Sequence, residues 1–247
     1  MKKASMLAIG ALCALAASVQ ASDQAHWSYQ GKTAPPKWAE LDEANKACKF
    51  SKEQSPINIE TGKAKKAKLA PIDFKYVAGA AEVVNNGHTI QINLPEGGSA
   101  KIGDMDVKLL QFHFHTPSEE KVNGKTYPLV AHMVHKSADG KLAVVAVLMN
   151  VGKENATLKP VFDALPAEGT PTKLASMNPS DLLPANKGYY KFMGSLTTPP
   201  CSDGVFWQVL KQPIEISKEQ LAAFQKMYKM NARPVQPLNG RVVEVSE

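Results

Sequence analysis

KLLQFHFHTPSEE, residues 108–120, alternates in its first half. A strand sends successive side chains to opposite faces, so an extended chain sets Gln111, His113 and His115 on one side and Leu110, Phe112 and Phe114 on the other. The apolar set can grip a core while two imidazoles stand side by side over a cavity. Neutral imidazole is the commonest zinc ligand and suits a tetrahedral ion. The same pattern fits two surface histidines on a half-exposed strand, and H-x-H alone does not separate the two readings.

A third histidine bears on that choice. Residues 129–134 are β-branched and apolar enough for a strand, with His132 sharing a face with Val130 and Val134 while His135 points the other way. The connection 116–128 carries PSEE, NGK and YP, all turn-prone, so the two strands can pair as an antiparallel hairpin. His132 then lies across from His113 and His115. Three protein nitrogens with a fourth position left to water is the open arrangement of a catalytic zinc, whereas structural zinc is usually closed by four ligands. No cysteine is near enough in sequence to suggest a fourth.

Nine segments, HWSY (26–29), QSPINI (54–59), NNGH (85–88), QFHFHTPSE (111–119), AHMVH (131–135), LAVVAV (142–147), GSLTTPPC (194–201), VFW (205–207) and PLNGR (237–241), together resemble the α-class carbonic anhydrases in their bacterial exported form. They stand in family order and span essentially the whole chain beyond its leader. The resemblance implies an α+β, β-dominated fold. One domain, residues 22–247, would surround a large, twisted, mostly antiparallel central β-sheet with short peripheral helices. Composition alone would also allow a sandwich or barrel.

The resemblance further implies reversible hydration of carbon dioxide to bicarbonate and a proton, by attack of zinc-bound hydroxide, with Zn2+ as the only cofactor. His113, His115 and His132 are the expected metal ligands. Glu119 is chosen over Glu120 as the acid that makes Thr197 donate its hydroxyl proton, since an ionised carboxylate only accepts. Thr198 and the Thr197 amide are expected at bound anions, with sulfonamides as inhibitors. His88 resembles a proton shuttle, because an imidazole near neutral pKa suits relay through water. Tyr29, Asn86 and Gln91 would order that water, and Val134, Val144, Leu196, Val205 and Trp207 would line the apolar pocket. Metal-bound histidines usually give their other N–H to an acceptor. Gln111 is expected to serve His113, and the backbone near Asn239 to serve His115. The family's glutamate for the third ligand falls at Val130, which has no acceptor. The expectation is that zinc binds but with faster loss or altered activity, within the roughly 10- to 100-fold range of such losses. His26 and His135 read as structural.

The 247 residues, 44% apolar and 21% charged, suit a globular chain with a substantial core. Residues 1–21 have a lysine pair, an apolar run and small residues at Val19 and Ala21, which reads as a cleavable signal peptide and a periplasmic or secreted protein. The run is short for a membrane span. The net charge of +6 drops by two with Lys2 and Lys3, a balance that favours solubility and points to no nucleic-acid partner. KAKKAK, residues 63–68, lacks interleaved aromatics and reads as a solvated turn. Beyond the leader's Cys13, Cys48 and Cys201 form an even pair, read as one disulfide. A loop of about 150 residues closed that way is worth about 4–5 kcal/mol in the chain-entropy model. Oligomeric state stays open between monomer and homodimer.

Along the chain, 38–48 and 155–165 read as short helices, IDFKYV, AEVVNN and TIQINL as strands, and KLAVVAVLMNVG, 141–152, as a central buried strand. Residues 166–187 read as loop. Residues 217–230 read as an amphipathic helix capped by Ser217 and Gln220, with Leu221, Phe224 and Tyr228 on its apolar face. Two other functions remain on the same residues: a non-catalytic binding relative, disfavoured by the intact histidine set, and an exported zinc buffer, which would favour a more exposed site. A metalloprotease is disfavoured because no H-E-x-x-H occurs.

Overall fold

The computed structural model describes residues 26–247, so the expected signal peptide and its cleavage point lie outside the described residues. In chain order the strands of its main path are β1 (Lys65–Ala67), β2 (Gly79–Asn85), β3 (Ile90–Asn93), β4 (Met105–His115), β5 (Leu129–Ser137), β6 (Leu142–Val151), β7 (Thr172–Met177), β8 (Tyr189–Ser195), β9 (Asp203–Leu210) and β10 (Glu244–Ser246). They lie side by side as β7-β2-β3-β4-β5-β6-β9-β8-β10-β1 within a 13-stranded sheet. Neighbours on this path are antiparallel except β6 with β9 and β10 with β1. The mostly antiparallel, β-dominated expectation holds.

β6 sits at the centre because nearly every residue in it is apolar and both its faces are buried. Ala143, Val145, Val147 and Met149 pack with Phe112, Phe114 and Met133 in the larger core. Val144, Ala146 and Leu148 face the other way, with Val130, Val209 and Trp207. The sheet therefore separates two apolar clusters, and the candidate site belongs to the second.

A β-bulge decides which side the histidines take. In β4, Val107 and Leu109 point into the larger core, and so do Phe112 and Phe114. The inward residues switch from odd to even numbers between these pairs. The pairing with β5 runs Leu109 to His135 and then Gln111 to Val134, so Leu110 is the extra residue. An inserted residue kinks a strand and re-aims the side chains beyond it. Leu110 does not join Phe112 and Phe114, as the simple alternation predicts; it is 42% exposed. An unbroken alternation through the same residues would put His113 and His115 in phase with Val107 and Leu109.

The one long helix among the described residues, α1 (Lys218–Met227), starts as expected: Ser217 Oγ accepts from the Gln220 amide, and Gln220 Oε1 accepts from the Ser217 amide. Phe224 buries its face, flanked by half-buried Leu221 and Tyr228. Residues 38–48 break into short turns, because Asp42 is extended and caps the next turn through the Ala44 amide. The helix expected over 155–165 shrinks to Lys159–Phe162. The loop expected over 166–187 contains β7, a half-exposed edge strand with too little apolar patterning to announce itself, and a 3-10 turn at Pro179–Leu182. KAKKAK is not a turn: it supplies β1 at the sheet's edge, where exposed Lys65 and Lys66 discourage pairing with another chain. Cys48 and Cys201 are bonded, as expected.

Candidate metal centre

β4 and β5 pair with His113 directly opposite His132. His115, two residues on, completes the group. One ring nitrogen of each lies within 4.8 Å of the others, and this is the only such cluster of three metal-ligating residues among the described residues. His115 and His132 are 1% exposed.

The remaining nitrogens show which atoms are free. His113 Nδ1 donates to Gln111 Oε1 at 2.9 Å, as expected from sequence. His115 Nδ1 donates to the Asn231 carbonyl at 2.7 Å. His132 Nε2 donates to Glu120 Oε2 at 3.1 Å. All three acceptors can only accept, so each fixes one tautomer. His113 Nε2, His115 Nε2 and His132 Nδ1 are left for a ligand, and the buried His115 Nε2 has no hydrogen-bond partner. Burial, then the nearby His132, lowers the His113 pKa to about 3 and pushes His115 well down, so both are neutral as metal binding requires. Burial also pulls on His132, but the charge and hydrogen bond of Glu120 outweigh it and raise that pKa. Three neutral-capable imidazoles converging with free nitrogens fit a zinc ion.

Two expected supports are corrected. The acceptor for His115 is not near Asn239, which is exposed and gives its amide to Lys52 O. It is Asn231, whose side chain accepts from the Thr116 amide and donates to Phe114 O and His88 O. Those bonds clamp its backbone against the end of β4. Nor does His132 lack an acceptor because residue 130 is valine. Val130 packs in the apolar cluster, and Glu120, which the choice of Glu119 leaves without a role, supplies the oxygen from the loop after β4. Both partners are fixed by tertiary contacts that strand periodicity does not encode.

Glu119 is fully buried beside the histidines. Its Oε1 accepts from the Arg233 amide at 2.7 Å, and its Oε2 lies 3.6 Å from His115 Nε2 and 3.8 Å from His132 Nδ1. Burial raises its carboxyl to about 7, opposed by His132, the Thr197 hydroxyl and the Arg233 amide. Buried Arg233 also donates to Ser55 O and Cys48 O, joining the acid to the disulfide end of the molecule. No sequence pattern marked Asn231 or Arg233.

Val144, Val205 and Trp207, with half-buried Val134 and Leu196, lie in the second apolar cluster, and the Trp207 ring is 4.9 Å from that of His132. Thr197 is buried, and Thr198 O accepts from the Cys201 amide. His88 sits in the turn between β2 and β3 with its ring stacked 3.6 Å from Trp27 and 4.8 Å from His26. Burial, then His26, lowers its pKa, partly offset by Glu168. Asn86 uses its oxygen on the His88 and Thr89 amides, and Gln91 bonds Asn93, so both are turn and strand fasteners. Tyr29 is buried against Trp38, and burial, then the Glu119 charge, pushes its phenol well up.

The profile of the eukaryotic-type carbonic anhydrase family matches residues 33–247. A carbonic anhydrase of Klebsiella pneumoniae is 47% identical over 223 residues, covering 88% of this chain and 90% of the relative. Among solved structures, the α-carbonic anhydrase of Thermovibrio ammonificans in complex with the inhibitor sulfanilamide has 47% identity and a TM-score of 0.86, covering 90% of this chain and 99% of that one. The Photobacterium profundum α-carbonic anhydrase has 42% identity and a TM-score of 0.84, covering 90% and 100%.

Proposed function

The chain belongs to the eukaryotic-type, or α, carbonic anhydrase family, and from that premise we propose that it is a zinc enzyme hydrating carbon dioxide outside the cytoplasm. The observation that carries this reading is the convergence of three imidazoles, each with one nitrogen tied to an acceptor and the other free. Bound zinc would acidify a water at its open position to a pKa of about 7, the established value for this enzyme class, and so supply hydroxide at neutral pH.

The chain's own residues do the rest. Gln111, Asn231 and Glu120 hold the rings in their ligating tautomers. A dication close to Glu119 favours its ionised form, which offsets the burial that raises its pKa. Ionised Glu119 accepts from the Thr197 hydroxyl, which leaves the Thr197 oxygen to accept from the nucleophile and aim it. Val134, Val144, Leu196, Val205 and Trp207 give carbon dioxide an apolar wall, and Thr198 meets the product anion. His88, held largely neutral at pH 7 by its lowered pKa, accepts the proton that must leave. The Cys48–Cys201 bond supports an oxidising, exported setting. Among the described residues no helix is long and apolar enough to cross a membrane.

Stopped-flow carbon dioxide hydration by the zinc-loaded protein tests the proposal. Sulfanilamide should inhibit it, and His113→Ala should lower the rate by more than about 100-fold, since even the acceptors behind metal ligands are worth up to that much. A loaded protein no faster than buffer would end the reading. His88→Ala should lower kcat in dilute buffer while leaving kcat/KM nearly unchanged, because it acts after the carbon–oxygen step.

A further inference from the structure

We propose that Glu120 is the positioning residue for His132, an anionic clamp supplied from the loop after β4 where strand β5 offers only Val130. This rests on the zinc reading above. Both Glu120 oxygens lie near His132 Nε2, at 3.0 and 3.1 Å. Glu120 is 0% exposed, and its carboxylate has no other hydrogen-bond partner among the described residues. Val130, two residues before His132 on the same strand face, is also 0% exposed and belongs to the second apolar cluster.

The loop that carries Glu120 is built to hold it. Ser118 N donates to Tyr127 O at 2.8 Å, Tyr127 N donates to Ser118 Oγ at 2.9 Å, and Ser118 Oγ donates to Glu120 O at 2.8 Å. Consecutive residues then send two buried carboxylates to different tasks: Glu119 to the Arg233 amide and the Thr197 side, Glu120 to the far nitrogen of His132. A buried carboxylate with a single partner is costly to keep unless a positive charge compensates it. A dication held by His132 would supply that charge through the imidazole. His113 and His115 lean on neutral amide and carbonyl oxygens. An ionised acceptor makes the stronger hydrogen bond and the more electron-rich ligand, so His132 is the ligand that does most to retain the metal.

The test is the rate at which zinc leaves the loaded protein for excess dipicolinate. Glu120→Gln keeps the shape and removes the charge, and should speed zinc loss roughly 10- to 100-fold. The d–d absorption band of the cobalt-substituted protein should shift as well. Zinc loss at the wild-type rate, with or without a lower melting temperature of the metal-free variant, would make Glu120 a structural residue and overturn the proposal. Should the glutamine variant fail to fold, Glu120→Asp keeps the charge but shortens the reach. It should lose zinc at an intermediate rate, and the wild-type rate would again overturn the assignment. If equilibrium dialysis shows no zinc on the unaltered protein, the zinc reading fails and this inference falls with it. Zinc on the unaltered protein with no effect of either variant fails this inference alone.

Discussion

Two buried histidines three residues apart on β5 do opposite things. His132 turns to the metal side of the sheet with Nε2 bound to Glu120 and Nδ1 toward the shared ligand point. His135 turns to the other face, where Nδ1 donates to Ala143 O at 3.3 Å and Nε2 accepts from the Tyr76 hydroxyl at 2.7 Å. Burial is the same for both, and so is the residue type. What separates a ligand from a structural imidazole here is whether the second nitrogen already has a partner. The side of the sheet decides that, and for His113 and His115 the side follows from the bulge at Leu110.

Deleting Leu110 is therefore the sharpest test of the comparison. With the extra residue gone, Val107, Leu109, Phe112 and Phe114 fall into one regular alternation, while Gln111, His113 and His115 keep the opposite face and their partners on β5. The deletion variant should therefore still bind one zinc by elemental analysis, although the closed bulge changes the local twist of the strand. Leu110→Ser, which keeps the extra residue at an exposed position, should also bind one zinc and change stability by less than about 0.5 kcal/mol. Loss of zinc in the deletion variant would show that the bulge aims the site by more than the face it assigns.

The ligands themselves were legible in KLLQFHFHTPSEE and VAHMVH, because a period of two is a local property and β-pairing needed only a turn-prone link. The central strand was legible for the same reason: ten residues almost without polarity have nowhere to go but between two layers. Leu110 was not, since the inserted residue is itself apolar and no glycine marks it. Asn231 and Glu120 were not, because an acceptor is recognisable only once the fold brings its oxygen to a ring nitrogen, in one case across 116 residues. Asn239 stands in a motif, PLNGR, whose asparagine adopts a left-handed turn at the surface and bonds Lys52 instead of a ligand. β7 is hidden because edge strands need little apolar pattern to pair on one side.

The far face offers the milder and more selective test, through acid. Burial lowers the His135 pKa to about 4, against an ordinary value of 6.5, while its hydrogen bonds to the backbone resist the shift and no charged group contributes. A buried base held neutral stabilises the fold fully above the unfolded value, and that contribution is lost as pH falls from about 6.5 toward 4, where the unfolded chain takes up the proton first. A shift of this size corresponds to about 3 kcal/mol across that window. His135→Leu alone strands the Tyr76 hydroxyl in the core, where only the Met133 sulfur lies within reach at 3.9 Å. That should cost about 1–3 kcal/mol at pH 7. Tyr76→Phe added to it removes the stranded group, so the double variant should recover most of that loss and show a flatter decline of stability between pH 6.5 and 4 in urea titrations. Zinc content and carbon dioxide hydration at pH 7 should not change in either, because the pair lies on the side of the sheet away from the metal. An acid profile in the double variant as steep as that of the unaltered protein would place the sensitivity elsewhere, and a loss of zinc would mean the two faces are not independent.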